Sequence, residues 1–357
     1  MNLTPIINTF QIKGTYITTE TINSGYINAT YKINTTQACY ILQKVNHHIF
    51  KNVKELTQNI IRITEHIKTK TSKENQENTL EVILTNTNNG FYKDDEGNFW
   101  RMFNYLPGSV TFEILQNPSQ ATALGTAFAT FQKQLIDLPE PPLFEILPNF
   151  HNTSIRIEQF KEAIKNNIDN RLATVEEEVT YLLNLAPEME EVVNLGKQQL
   201  IPLRSIHQDA KLSNILFNQH NETLCIIDLD TTMPGYLCYD FGDAVRTGMN
   251  TAGEEEKDIS KVGLHFDLFK AFTKGYASVS KDFITPKEID TLVLGAKIIT
   301  YEQTIRFLAD YLNGDIYYQT SYPEHNLVRT KVQIALLKDI LAHYEEMCAY
   351  VKKQYTL

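Results

Sequence analysis

Residues 205–230, SIHQDAKLSNILFNQHNETLCIIDLD, constrain the fold more than any other stretch of the chain. Residues 205–206 end a short strand, and 207–214 read as a polar loop. Two apolar runs, 215–217 and 224–227, flank residues 218–223, a polar turn of the kind that closes a hairpin. Closing that hairpin carries Asp228 back beside Asn214. One patch then holds a candidate base (Asp209), a cation (Lys211), an amide oxygen (Asn214) and a second carboxylate (Asp228).

Phosphoryl transfer from ATP calls for this set. The attacking hydroxyl must be held in line with its proton directed at a carboxylate, and oxygen ligands must hold Mg²⁺ against the phosphates. In the protein-kinase-like arrangement a loop H-x-D-x-K-x-x-N supplies the base and one metal ligand, and a second Asp follows a hairpin. His207, Asp209, Lys211 and Asn214 match it position by position. A polar loop between core strands is the bland reading, and four matches in eight residues weigh against it. Asp240–Phe241–Gly242 also spells the metal-binding triplet of protein kinases, but lies 26 residues past Asn214, whereas Asp228 lies 14 past it. A single short hairpin fits the smaller gap, so Asp228 is read as the metal ligand and Asp240 as a structural residue or one that supports the site from behind its ligands.

The remaining 300 or so residues give this loop somewhere to sit: 357 residues suffice for two lobes with separate cores. A formal charge of −10 with no basic block argues against nucleic-acid binding. The four cysteines are scattered, as expected of free thiols in a reducing cytosol. No secretion leader and no apolar run of membrane-spanning length is evident, so a cytoplasmic protein without a membrane partner is expected. Oligomeric state is left open by the sequence.

Residues 15–33 pattern as two strands around a turn at Asn23, Ser24 and Gly25. In a kinase reading, the Ser24 and Gly25 backbone covers the phosphates, although an ordinary hairpin would look the same. The strand YILQKV places Lys44 as the lysine for the α- and β-phosphates; Gln43 in that register would instead leave Lys44 facing solvent. Val53, Leu56, Ile60, Ile63 and Ile67 step as a helix capped by Asn52. On it Glu55 could orient Lys44 or merely bond back to its cap, with Glu65 as the other candidate. A turn at 95–98 precedes the strand 99–105, which runs through Leu106, Pro107 and Gly108 into a helical pattern. Backbone around Asn104 and Leu106 would then meet adenine. The expected division is an N-lobe at 1–106 and a C-lobe at 107–357.

Beyond residue 108 the pattern is mainly helical. Leu124, Phe128, Phe131 and Leu135 mark one helix, a proline-rich link covers 139–148, and helices are expected at 154–171 and 176–197. Two or three more follow between 254 and 355. Between their apolar faces lies RFLADYLNGDIYY, residues 306–318, whose Arg306 and Tyr317 sit in a mixture of polar and aromatic side chains suited to a sugar. Asp243 and Arg246 are further candidates for the same pocket.

HQDAKLSN and IDLD resemble the catalytic and metal loops of the aminoglycoside-phosphotransferase and choline-kinase-like superfamily. NSGYINATYKI, YILQKVNHHIFKN, LPNFHNT, IDLDTTMPGYLCYDFGDAVRTG and RFLADYLNGDIYY bring the likeness closer to the bacterial N-acetylhexosamine 1-kinases. The resemblance implies an α+β, two-lobed protein-kinase-like fold, with a small antiparallel N-lobe and a larger, mostly helical C-lobe. It implies transfer of the ATP γ-phosphoryl group to the anomeric 1-hydroxyl of N-acetylglucosamine or N-acetylgalactosamine. Asp209 would be the base, Asn214 and Asp228 the Mg²⁺ ligands, and Arg306 a sugar contact. No A-P-E segment follows the metal strand, which speaks against a protein substrate. Other readings are a kinase of this superfamily acting on another sugar, choline, homoserine or an aminoglycoside, and a nucleotide-binding pseudokinase.

Overall fold

The structure is a computed structural model describing residues 2–22, 27–168 and 170–356. In chain order come a short helix α1 (Thr4–Ile7), strands β1 (Tyr16–Ile22), β2 (Ala29–Thr35) and β3 (Cys39–Val45), and helix α2 (Val53–Lys70). Short strands β4 (Val82–Ile83) and β5 (Tyr92–Lys93) precede β6 (Phe99–Asn104). Helices α3 (Pro118–Leu135), α4 (Thr153–Asn166), α5 (Glu176–Met189) and α6 (Glu191–Lys197) lead to β7 (Arg204–Ile206). Strands β8 (Ile215–Phe217), β9 (Thr223–Ile226) and β10 (Met233–Gly235) follow, then helices α7 (Leu237–Gly248), α8 (Phe266–Ser280), α9 (Pro286–Leu312), α10 (His325–Ala342) and α11 (Tyr344–Tyr355). The last four are one or two more than the pattern after residue 254 suggested, and the expected 176–197 helix is two, α5 carrying Pro187 near its end. Among the described residues no helix is long and apolar enough to cross a membrane.

The chain forms two compact units. The first comprises Met1–Thr111, Gln134–Pro148 and Asn214–Pro234. The second comprises Phe112–Lys133, Asn149–Ser213 and Gly235–Leu357. A single cut at 106/107 would give the proline-rich link and the β8–β9 hairpin to the larger unit; both belong to the smaller.

In the first unit β1, β2, β3, β6 and β4 form an antiparallel sheet in that spatial order, with β5 also on β6. The period of two sorts each strand's side chains onto two faces. Tyr40 and Leu42 of β3 join Ile33, Trp100 and Met102 in a core closed by Leu3, Ile6, Ile7 and Phe10 from α1 and its flanks. Val53, Leu56, Ile60 and Ile63 are the buried stripe of α2, whose cap Asn52 accepts the Glu55 N–H. The proline-rich link is tied to α2: Asn59 exchanges two hydrogen bonds with the Phe144 backbone, and Arg62 donates to the Pro139, Pro141 and Pro142 carbonyls.

The second unit is built around α9. Its N-terminus is fixed by a capping box, Thr285 with Glu288, and by Pro286 in the first turn. Nearly every residue from Thr291 to Leu312 is buried, because α4, α7, α10 and α11 pack around it. Two glycines permit the approach of α7 to α9: a Cβ on Gly295 would collide with the Cys238 carbonyl, and one on Gly242 with the Gly295 carbonyl. The four cysteines are free, and burial raises the Cys238 thiol to about 12.

Candidate active site

The larger unit holds Asp209, the residue expected as the base. His207 is fully buried, packed edge-on by the Phe128 and Phe131 rings of α3 at 5.5 and 5.8 Å. Its Nδ1 accepts the Asp209 N–H, so the first residue of the motif shapes the backbone of the third. Gln208 lies in the left-handed region at φ 66°, a conformation a non-glycine residue holds only under external constraint. That constraint is Asp240. Its buried carboxylate accepts the His207 N–H at 3.0 Å, the Gln208 N–H at 2.7 Å and Gln132 Nε2 at 2.9 Å, while Tyr276 Oη donates to Gln132 Oε1 at 2.6 Å. Burial raises the Asp240 carboxyl above its ordinary value, against the opposing pull of His207 and the donated N–H groups. Asp240 thus anchors the start of the 207–214 loop. Asp209 itself is partly exposed and carries Lys211 Nζ at 2.8 Å, a carboxylate with a cation beside it.

A second cluster touches this loop. His151 Nε2 lies 3.3 Å from the Gln208 carbonyl, and His151 Nδ1 lies 2.8 Å from Glu302 Oε1. Glu302 also accepts the Thr153 hydroxyl. Burial raises the Glu302 carboxyl, but His151, Arg306 and Arg156 outweigh it and hold the group below its ordinary value. Arg306 is one helical turn further along α9. Its guanidinium bonds Gln303 Oε1 and lies 5.8, 6.0 and 5.7 Å from the Phe150, Tyr317 and Tyr318 ring centres. The loop presenting these tyrosines is wound on one buried carboxylate: Asp310 accepts the Ile316, Tyr317 and Tyr318 N–H groups and the Asn326 amide. Tyr317 is left exposed at 63% while Tyr318 is half-buried, its ring against Phe307. The structure therefore brings Arg306 and Tyr317 together. It pairs Asp243 and Arg246 with each other, and Arg246 also with Glu254, which acts electrostatically on Tyr318. Burial works against the Arg246 charge, and these two carboxylates more than restore it.

The smaller unit holds Asn214 and Asp228, the residues expected as oxygen ligands. β8 and β9 pair antiparallel, Ile215 opposite Ile226, and the Ile227 N–H donates to the Asn214 carbonyl at 2.9 Å. The turn is closed by Asn218, which accepts the His220 and Glu222 N–H groups. Asp228 follows at φ 61°, ψ 54°, as the N-cap of a 3₁₀ turn, Leu229–Thr231, with its side chain exposed. Asn214 is 4% exposed. An amide oxygen and a carboxylate are hard donors, and Mg²⁺ commonly takes one or two protein oxygens with phosphates completing its shell. Asn214 and Asp228 fit the ion.

Ser24 and Gly25 lie outside the described residues. Lys44 sits on the Tyr40–Leu42 face, its Nζ 6.0 Å from the Trp100 ring, and among the described residues no ion pair joins it to Glu55 or Glu65. Glu55 is half-buried in the first turn of α2, its N–H donating to its cap Asn52. The side chain on the opposite sheet face is Gln43, the alternative register, which bonds Arg101 and Thr30. Asn104 is occupied by the 79–81 segment: its N–H and both ends of its amide bond Glu81 and Thr79. Leu106 is buried, its carbonyl accepting the Ser109 N–H. Sequence reasoning missed His151, Glu302, Arg101 and Asp230. Of these, only the Glu302–Arg306 spacing of four on one helix carried a sequence signal.

The chain is similar to several solved structures at low identity. A microcompartment-associated aminopropanol kinase is 11% identical, with 97% of each chain covered and a TM-score of 0.62. The choline kinase of Cryptosporidium parvum Iowa II is 14% identical, with 96% of this chain and 94% of that chain covered and a TM-score of 0.57. A spectinomycin phosphotransferase solved with ADP and spectinomycin is 13% identical, with 96% and 98% covered and a TM-score of 0.55. These likenesses give the fold: a kinase-like α+β arrangement with a small antiparallel sheet unit and a larger helical one. The phosphotransferase enzyme family profile matches residues 18–271, well over half of the sequence, and the chain belongs to that family.

Proposed function

We propose that the protein is an ATP- and Mg²⁺-dependent kinase that phosphorylates the anomeric hydroxyl of an N-acetylhexosamine. Asp209 takes the hydroxyl proton as the anomeric oxygen bonds the γ-phosphorus and the bond to ADP breaks. Lys211, 2.8 Å from Asp209, keeps the base oriented and adds positive charge where the transferred group arrives. Asn214 and Asp228 would hold Mg²⁺, whose bound charge offsets that of the phosphates.

One observation carries the choice of acceptor. A cluster of buried Glu302 with half-buried Arg306 and His151, faced by Tyr317, is hydrogen-bonded through His151 to the residue preceding the base. A guanidinium among aromatic rings suits hydroxyls, an acetamido carbonyl and a sugar ring face, and repels a cationic acceptor. The low-identity kinases of amino alcohols keep a second reading in play, another small alcohol as acceptor. Incubation with ATP, Mg²⁺ and a panel of amino sugars, neutral sugars, choline and ethanolamine decides between them. A phosphorus signal coupled to an anomeric proton is expected with N-acetylhexosamines. Phosphorylation of choline or ethanolamine alone overturns the sugar reading, and absence of ADP release with every acceptor overturns the kinase reading. Asp209→Asn should fold and lose about 10²–10⁴ in turnover. Asp228→Ala should abolish Mg²⁺-dependent ATP binding while leaving the unfolding midpoint near wild type.

A further inference from the structure

The buried cation of the N-terminal sheet is Arg101. It stands opposite Gln43 in the β3–β6 register, and its side chain is 2% exposed. Its Nη1 and Nη2 meet the two oxygens of Asp230, itself 3% exposed, in a forked pair, with Nη2 at 2.9 Å. Its Nε donates to Gln43 Oε1 at 2.9 Å, and Gln43 Nε2 donates to Thr30 Oγ1 at 3.2 Å. Asp230 also accepts Asn28 Nδ2 at 2.7 Å, and Asn28 Oδ1 in turn accepts the Asn46 N–H at 2.9 Å. Three strands and the loop after β3 thus converge on one carboxylate.

That carboxylate lies two residues beyond Asp228. Asp230 is inside the Leu229–Thr231 turn, and Asp228 is the residue that caps it, held at φ 61°. The left-handed conformation costs a non-glycine residue about 1–2 kcal/mol, so a contact outside the turn has to hold it there. Contacts on the turn include α2, packed against it, and the Arg101 fork and Asn28 amide that hold Asp230.

We propose that Arg101 is a positioning residue for Mg²⁺·ATP: by clamping Asp230 it fixes the turn that presents the Asp228 carboxylate, and Gln43 aims the guanidinium. The inference rests on the reading of Asp228 as a metal ligand. Only a planar, forked donor set can bind both Asp230 oxygens and Gln43 at once; an ammonium group keeps the charge and loses the geometry. Lys44 has no part in this arrangement.

Calorimetric titration of the full chain with ATP, in Mg²⁺ and in EDTA, tests it. Arg101→Lys should bind ATP in EDTA as wild type does and require about tenfold more Mg²⁺ to reach half-saturation with ATP. Gln43→Ala should shift the Mg²⁺ requirement in the same direction by a smaller factor, and decides the matter if Arg101→Lys does not fold. A merely structural role would lower the unfolding midpoint without changing the Mg²⁺ requirement of the folded fraction, and that result overturns the proposal. Wild-type protein lacking any Mg²⁺-dependent ATP binding would instead overturn the kinase reading.

Discussion

Replacing Asp240 by Asn tests whether the catalytic loop is held by this one carboxylate. The wild-type oxygens accept three bonds: Gln208 N–H on one, His207 N–H and Gln132 Nε2 on the other. An Asn side chain offers one oxygen, and its least costly orientation keeps the two bonds and turns its NH₂ toward Gln208 N–H. One charge-assisted bond is lost, about 1.5–3 kcal/mol, and a buried N–H is left facing another donor, about 1–3 kcal/mol more. Part of this is returned, because burial disfavours the Asp240 charge that the amide removes. The net expectation is a loss of about 2–4 kcal/mol in urea unfolding followed by far-ultraviolet circular dichroism. The activity effect should be larger than instability explains. Gln208 adjoins the base and leaves its left-handed conformation once unpinned, and misplacement of about 1 Å can cost on the order of 10²-fold in kcat. Gln132→Ala is the control: it removes a side-chain donor and leaves both backbone bonds, so it should lower stability while kcat stays within about threefold. Turnover is read by ADP release at a temperature where each variant is folded. An Asp240→Asn enzyme that is folded and turns over at the wild-type rate refutes the reasoning.

Two further outcomes follow from the larger unit. Gly295→Ala places a methyl group against the Cys238 carbonyl, backbone against backbone with no side chain able to yield, and should cost more than about 3 kcal/mol in the same unfolding assay; wild-type stability would show that α7 and α9 can separate freely. Glu302 is held below its ordinary value of 4.5, so the unfolded chain takes up its proton first as pH falls. Its contribution is complete above about pH 4.5 and is lost as the pH drops through the lower folded value. The stability gap between wild type and Glu302→Gln should therefore narrow from pH 6 to pH 3.5, and a gap independent of pH would mean that Glu302 is not the charged partner of His151 and Arg306.

The elements that the sequence discloses are those whose environment is one-sided. The α2 stripe of Val53, Leu56, Ile60 and Ile63 shows in the spacing because its other face meets water. Helix α9 shows less, since it is surrounded: Thr300 and Thr304 are buried with their hydroxyls on the carbonyls one turn back, and a polar residue satisfied in that way leaves no periodic trace. The hairpin from Ile215 to Ile226 was readable because turn chemistry and a short loop fix its register locally. Asp240 was recognisable as something other than a hairpin-delivered ligand from chain distance alone. Its three donors, spread from residue 132 to residue 208, were not.

The Lys44 and Gln43 pair shows where local reading stops. Strand alternation requires that the two face opposite ways, and nothing within the strand decides which way is inward. Charge favoured Lys44, on the argument that phosphates need a cation. That argument assumes the cation must come from β3. On the Gln43 face of the folded sheet the buried cation belongs to the neighbouring strand: Arg101 lies directly across from Gln43 and is bound to Asp230. A strand position opposite an arginine can carry an amide and keep the charge in place, while a lysine there would set two cations side by side in a buried site. Gln43 is therefore the residue the register favours once Arg101 is buried, and Lys44 is free to lie over Trp100 on the other face.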